Sequence, residues 1–412
     1  MGDVYVRRQA SSLPRQPKIP GCAAPLPLTL TSSKLYSPTL ALEAPASKVK
    51  KKMSEKGGSL EAGSETQAKK IEDEFPEGGW AGWSTLCGAT LVQYATFGYT
   101  NAFGVYQDFY VREYLVNYTP SEIGWIGGTQ IFLTFAAGLF TGRAFDSGYF
   151  HHMMIGGAIL HSFCYFMLSL SHQNQYYQIF LSQALGGGLA AGIVYIPSLA
   201  VVSHYFKRNR PLAMGIVASG TALGATLHPI MLNKLFHGPV GFQNGVRISA
   251  ALNSGLLIIA NCMMRTRLPP KRTGTAIPLA KFAHDPPYLI AVIAGMLIVC
   301  GLFFPIFFLQ LNAITHGVDR NFSFYCIPIM NAASVIGRTI PTILAPKIGV
   351  FNMITFFMFG MAAVTYSLGA VKDEQGIIVF AVFFGFFSGG GITLLPPMLC
   401  ESSLIFDPMI TR

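Results

Sequence analysis

Arg338 stands inside a run of apolar and small residues, Asn331-Ala332-Ala333-Ser334-Val335-Ile336-Gly337-Arg338-Thr339-Ile340. A guanidinium at membrane depth must face protein or water, because a charge against hydrocarbon costs about 3 kcal/mol or more. Its planar fork can hold a carboxylate through two parallel hydrogen bonds, which makes Arg338 the first candidate for binding an acidic solute; a structural role near a helix end is the other reading. Further polar side chains interrupt apolar runs at Tyr99, Asn101, Gln130, Tyr195, Gln310 and Asn331. Each either lines a path for a solute or bonds one helix to another. Asn101 lies between Gly98 and Gly104, so close helix packing also accounts for it. Arg143 and Asp146 end an apolar run, where an ion pair across a connection can latch one conformation. These two read as gating residues.

Bond-making chemistry finds no support. No paired carboxylates, no His-Glu-x-x-His pattern and no nucleophile beside a base occur within the apolar runs, so an enzyme is not indicated. His151, His152 and His161 have no partners at metal-ligand spacing. The seven cysteines stand singly, without a Cys-x-x-Cys pair. The glycine runs Gly186 to Gly188 and Gly389 to Gly391 lie within apolar sequence rather than between a strand and a helix, so they cradle no phosphate. No cofactor is implied. The net charge of +10 does not indicate nucleic acid, because the basic residues lie in the amino-terminal tail and in short connections.

What positions the polar residues is a set of membrane helices. Hydrophobic residues make up 51% of the chain and charged ones 12%, about half the charged share of a soluble domain, so lipid is the expected surrounding. Apolar segments of the length that spans about 30 Å of hydrocarbon recur from Trp83 onward. The pattern predicts an all-α membrane protein with ten helices, near 82–106, 122–143, 150–171, 176–204, 211–235, 242–264, 286–312, 321–345, 350–371 and 375–402. Residues 1–74, polar and rich in Pro, Ser, Lys and Glu, read as a disordered tail. A six-helix bundle then occupies 75–264, a basic and Pro-rich cytosolic linker 265–285, and four helices 286–412.

Orientation follows from the basic residues. Arg143, Lys207, Arg208, Arg210, Arg265, Arg267, Lys271, Arg272, Lys281 and Lys347 fall on one side, against Arg112, Lys234, Arg320 and Lys372 on the other. The richer side is cytosolic by the positive-inside rule, and the tail with it. The sequons at Asn117 and Asn321 then face outward. The tail has no signal-peptide core, so the first membrane helix is its own insertion signal, and the plasma membrane is the expected location.

The segments also repeat. Gly186 and Pro197 are spaced like Gly385 and Pro396, and Gly142-Arg143 before Gly148 resembles Gly337-Arg338 before Gly349. A duplication of a six-helix unit produces such matches, and paired repeats around a central cavity are a common carrier plan.

Several motifs together resemble one family. They are Pro76-Glu77-Gly78-Gly79-Trp80-Ala81-Gly82-Trp83; Gly98-Tyr99-Thr100-Asn101-Ala102-Phe103-Gly104-Val105-Tyr106-Gln107; Ile123-Gly124-Trp125-Ile126-Gly127; and Gly142-Arg143-Ala144-Phe145-Asp146-Ser147-Gly148-Tyr149-Phe150. Ser203-His204-Tyr205-Phe206 followed by Ala213-Met214-Gly215-Ile216-Val217-Ala218-Ser219-Gly220 adds a fifth. Over about residues 75–400 the chain resembles the fungal monocarboxylate-porter-like branch of the major facilitator superfamily, which includes riboflavin-transporter-like members. The resemblance implies alternating-access transport of a small organic solute, a monocarboxylate-like anion or a riboflavin-like molecule, by uniport or proton symport. It also implies twelve helices, whereas this sequence has room for ten, a six-helix half plus an incomplete four-helix half. The expectation is therefore either a protein partner that supplies the missing helices or a truncated, non-transporting form that interacts with a full-length carrier. In animal members an arginine matching Arg338 pairs with an acid one turn earlier; here that position is Ser334. A lysine of their first helix is likewise absent, with Tyr99, Thr100 and Asn101 in its place, and neutral groups of this kind suit a polar or aromatic solute.

Overall fold

The computed structural model describes residues 77–206, 209–268 and 286–404. The expected tail and most of the expected linker lie outside these residues. Among the described residues the regular structure is entirely helical. α1 runs Gly79–Gln93 and widens into a π-helical stretch, Tyr94–Gly98; α2, Phe103–Phe109, continues as a second such stretch, Tyr110–Tyr114. α3 is Pro120–Asp146, α4 Phe150–Leu168 and α5 the short Tyr176–Ile179, which passes through a π-helical Phe180–Gly187 into α6, Gly188–Val202. α7 is Arg210–Phe236, α8 Gly241–Met263, α9 Pro286–Thr315, α10 Arg320–Ile348, α11 Val350–Ser367 and α12 Glu374–Leu404.

Eight segments are long and apolar enough to cross a membrane: α3, the joined Tyr176–Val202 segment, α7, α8, parts of α9, α10 and α12, and α11 with the 3-10 turn that follows it. Their outer faces carry large apolar side chains at helical spacing, as with Phe132, Phe135, Leu139 and Phe140 on α3. Such a surface belongs in lipid, and the protein is an integral membrane protein. Two of the ten expected spans fall outside that group. α4 is diluted by His151, His152 and His161, and the first span is a broken helix rather than one rod over 82–106.

The break has a local cause. Thr96 Oγ1 donates to the Val92 carbonyl (2.6 Å), Thr100 Oγ1 to Thr96 (3.1 Å) and Asn101 Nδ2 to Phe97 (2.7 Å). Side chains thus compete for three carbonyls over two successive turns of the ladder. The chain tightens at Ala102, whose N–H bonds to the Tyr99 carbonyl (2.9 Å) instead of the carbonyl one residue further back. Gly98 crosses Gly224 of α7 here; a Cβ on Gly98 would stand 2.8 Å from the Gly224 Cα, so a larger residue would force the helices apart. α3, by contrast, starts cleanly. Pro120 opens it, Thr119 Oγ1 accepts from the Glu122 N–H (3.3 Å) and the Glu122 carboxylate accepts from the Thr119 N–H (2.7 Å), which together make a capping box.

The proposed duplication has counterparts in packing. α6 lies against α3 through Gly188, whose added Cβ would meet the Gln130 carbonyl at 2.8 Å, and through Gly192 against Thr134. α12 lies against α10 through Gly385 and Gly389, which face the carbonyls of Met330 and Ser334. α3 and α10 both end at a glycine with positive φ, Gly148 (90°) and Gly349 (94°). The two groups of helices meet where α7 crosses α10: Ser219 Oγ lies 3.1 Å from Thr339 Oγ1, and a Cβ on Gly215 would stand 2.9 Å from the Arg338 carbonyl.

Candidate functional site

Arg338 is carried to that crossing by α10. It stands ten residues before Ile348, about 15 Å of helix at 1.5 Å per residue, so it lies well inside the span. Its Nη1 donates to the Ala218 carbonyl of α7 (2.8 Å) and its Nε to Ser334 Oγ (3.3 Å). Nη2 makes neither of these bonds. The Tyr195 phenol of α6 lies within electrostatic reach of the guanidinium. The Tyr195 ring packs on Phe97 (centroids 5.2 Å) and also on the exposed Phe135 of α3 (5.9 Å). Asn331 lies two turns before Arg338, half-buried, and donates to Ile327 (3.1 Å) and Ala225 (3.5 Å). Ala225 has a carbonyl to offer because Pro229, four residues on, has no N–H to fill it.

Behind this wall Gln93 ties three helices together. Its Nε2 donates to Ser198 Oγ (2.9 Å) and the Tyr195 carbonyl (3.3 Å), and its Oε1 accepts from Thr221 Oγ1 (3.2 Å). A second buried group centres on Tyr99. Its hydroxyl meets Ser249 Oγ (2.8 Å) and the Tyr106 hydroxyl, while its ring packs on Tyr165 (4.8 Å), His228 (4.9 Å) and His161 (6.4 Å). Gln130 joins the group by donating to Tyr165 OH (2.9 Å) and Thr100 Oγ1 (3.2 Å).

Of the residues singled out from the sequence, Arg338, Tyr195 and Asn331 thus come to the crossing of α7 and α10. Tyr99 and Gln130 come together elsewhere, both fully buried in the amino-terminal helices. Asn101 is exposed and bonded to its own helix, and Gln310 is half-buried on α9. Neither belongs to either group by the contacts described. Arg143 and Asp146 are both exposed at the end of α3 and form no ion pair with each other; the ion pair found among the described residues is Arg112 with Asp108, at 2.6 Å. Sequence reasoning passed over Gln93, His228, Ser249 and Asn253. The signal for Gln93 and His228 was the same one used for Gln130, a lone polar side chain within an apolar run.

No cluster of histidine, cysteine or acidic side chains able to hold a metal ion occurs among the described residues. The arrangement offers a half-buried cation, aromatic surfaces and neutral hydroxyl and amide groups, which is equipment for recognition.

Comparison with known proteins agrees with the architecture. The sequence profile of the Major Facilitator Superfamily matches residues 82–404. MFS-type transporter 1 of an Ophiocordyceps species is 38% identical over 333 residues, 80% of this chain and 73% of that protein. The aspyridones efflux protein apdF of Emericella nidulans is 38% identical over 330 residues, 80% of this chain and 66% of its own length. The agnestins efflux protein AgnL12 of Paecilomyces divaricatus is 35% identical over 319 residues, covering 77% and 72%. These names speak of efflux rather than of a monocarboxylate or riboflavin. The chain, an integral membrane protein whose matched region takes in nearly every described helix, belongs to the Major Facilitator Superfamily.

Proposed function

We propose that the chain carries a small organic solute, aromatic and weakly acidic, across the membrane by alternating access of its two helix groups. The observation that carries this reading is Arg338, a guanidinium at the crossing of α7 and α10 within electrostatic reach of Tyr195, whose ring packs on Phe97. A carboxylate or enolate takes the charge-assisted bonds, and the rings supply stacking surface for the rest of the molecule. A monocarboxylate-like anion or a riboflavin-like ring system are narrower versions of the same class. The efflux role named for two relatives favours export, with the tail on the cytosolic side as the basic residues suggest.

Tyr195 and Asn331 serve the same site, while Gln93 and the Tyr99 group hold the helices that frame it. Arg143 and Asp146 act as a gate that pairs in an arrangement other than the present one. The experiment is uptake into inside-out vesicles of a panel of radiolabelled aromatic acids, with Arg338→Ala as the partner sample. Transport that falls to background in Arg338→Ala at unchanged membrane abundance supports the assignment; undiminished transport removes Arg338 from the site.

A further inference from the structure

The helices that carry solutes against a gradient need a group that takes up the driving ion at membrane depth. Within the described helices Asp and Glu occur only near the ends: Asp108 and Glu113 lie in the last two turns of the first segment, Glu122 and Asp146 at the ends of α3, and Glu374 and Glu401 in the first and last turns of α12. At mid-span the side chains whose ordinary titration lies near neutrality are imidazoles. His161 on α4 and His228 on α7 are 2% and 1% exposed, and both rings pack on Tyr99.

The surroundings of these rings are polar and incompletely bonded. Both nitrogens of His228, both amide atoms of Asn253 and Gln130 Oε1 are buried without a hydrogen-bond partner of normal geometry, although the main chain of Tyr94 lies beside the His228 ring. Leaving buried polar groups without a partner is unfavourable, which favours an arrangement of the helices in which water or a neighbouring group meets them. From Tyr99 a row of hydroxyls follows the first segment: Tyr99 to Tyr106, then the ring of Tyr110, whose hydroxyl donates to Gln183 Oε1 (2.7 Å), then Tyr114, bonded to the Ser171 carbonyl. It runs from the imidazoles toward one end of the bundle.

We propose that His161 and His228, both packed on Tyr99, are the proton-binding site through which this carrier couples to a proton gradient. The proposal rests on the carrier reading above. An imidazole nitrogen lone pair takes the proton and no other bond changes. In the closed packing an imidazolium would be held without water, so binding favours an arrangement in which the Tyr99 group opens, and closure expels the proton. At the depth of the two imidazoles the titratable or charged neighbours are Tyr94 and Tyr106 of the first segment, Tyr165 and Cys164 of α4, Tyr195 of α6 and Arg338 of α10. The acids of the first segment, Asp108 and Glu113, stand nine and fourteen residues beyond Tyr99 toward its end, and Arg210, Lys234, His151, His152, Arg247, Arg320 and Lys347 lie toward the ends of α7, α4, α8 and α10.

The test is hydrogen–deuterium exchange of the full-length chain in lipid nanodiscs at pH 7.5 and pH 5.5, with labelling times scaled for the chemical rate. Peptides covering 94–109 and 221–232 are expected to exchange about fivefold faster or more at pH 5.5, since protonation raises the population of the open form. His161→Gln and His228→Gln should each reduce that acceleration and the double variant should abolish it, while His172→Gln, a change at an exposed histidine, leaves it intact. An acceleration that survives in the double variant overturns the proposal, as does a wild-type chain whose exchange does not respond to pH. That wild-type arm decides alone if the variants unfold, which fast exchange throughout the chain at pH 7.5 would reveal. Solute movement without a pH gradient tests the carrier reading separately, so the two can fail independently.

Discussion

The two groups of helices are built on one plan and filled with different chemistry. Glycines of α6 pack on α3, and glycines of α12 pack on α10. Laid over each other by the Gly186–Pro197 and Gly385–Pro396 spacing, Gln183, Tyr195 and Ser198 fall opposite Val382, Leu394 and Pro397. The amino-terminal core gathers Tyr99, Tyr106, Tyr110, Tyr114 and Tyr165. The carboxy-terminal core gathers Leu302, Leu309, Met330, Met361, Phe380 and Phe384. Its buried polar residues are small hydroxyls such as Ser388 and Thr393, which bond within their own helix. One half therefore holds its helices largely with cross-helix polar bonds and the other mainly with shape, and Arg338, Thr339 and Asn331 are the carboxy-terminal groups that reach across to α7. The backbone crossings are the shared part of the design, whereas recognition is distributed unequally.

Arg338 offers the sharpest way to break this comparison. Arg338→Lys keeps the charge but loses the fork that spans Ala218 and a solute, and a lost charge-assisted bond of about 1.5–3 kcal/mol predicts a 10- to 100-fold fall in solute affinity. Half-saturation concentrations in the vesicle assay measure it. An unchanged value would make the guanidinium a packing device and leave recognition wholly in the amino-terminal half. The shared crossings come next. Gly188→Leu and Gly385→Leu should destabilise by similar amounts, about 1–3 kcal/mol or more each, because a side chain would be driven into the facing backbone in both halves. Gly156→Leu, where nothing lies within 4 Å, is the neutral control. Thermal unfolding followed by size-exclusion chromatography ranks them; strong loss at one crossing and none at the other would end the common plan.

The helices and the repeat were legible in the sequence because lipid imposes long apolar runs and because close crossings impose glycine at fixed spacing. The break in the first segment was not. It depends on three side chains that bond back along the ladder and on a contact with Gly224, more than a hundred residues away, and no periodicity reports either. Arg338 was legible as a charge at membrane depth, but its bond to Ala218 was not, since that needs the angle at which α7 and α10 cross. The polar residues divided the same way. Their depth could be read, while the separation of Tyr99 and Gln130 from Tyr195 and Asn331 into two groups required the packing. Arg143 and Asp146 were legible as charges at a helix end, and both sit exposed at the end of α3 without an ion pair between them in this arrangement.

The smallest predicted effects concern the bonds that distinguish the two halves. Gln93 spans to Ser198, Tyr195 and Thr221, three bonds to two other helices, whereas Thr393 bonds only the Gly389 carbonyl of its own helix (2.9 Å). Polar bonds between membrane helices contribute about 0.6 kcal/mol each on average, so Gln93→Leu should cost about 2 kcal/mol. Thr393→Val removes a bond that the helix does not need, and the change should stay within about 0.5 kcal/mol. Because Gln93→Leu keeps the apolar volume nearly constant, a cavity cannot account for its loss. The measurement is the midpoint of unfolding in a mild detergent for each variant against the parent chain. Two equal midpoints would mean that the amino-terminal half, like the carboxy-terminal one, is held by shape, and that its polar residues are kept for the solute and the proton rather than for the fold.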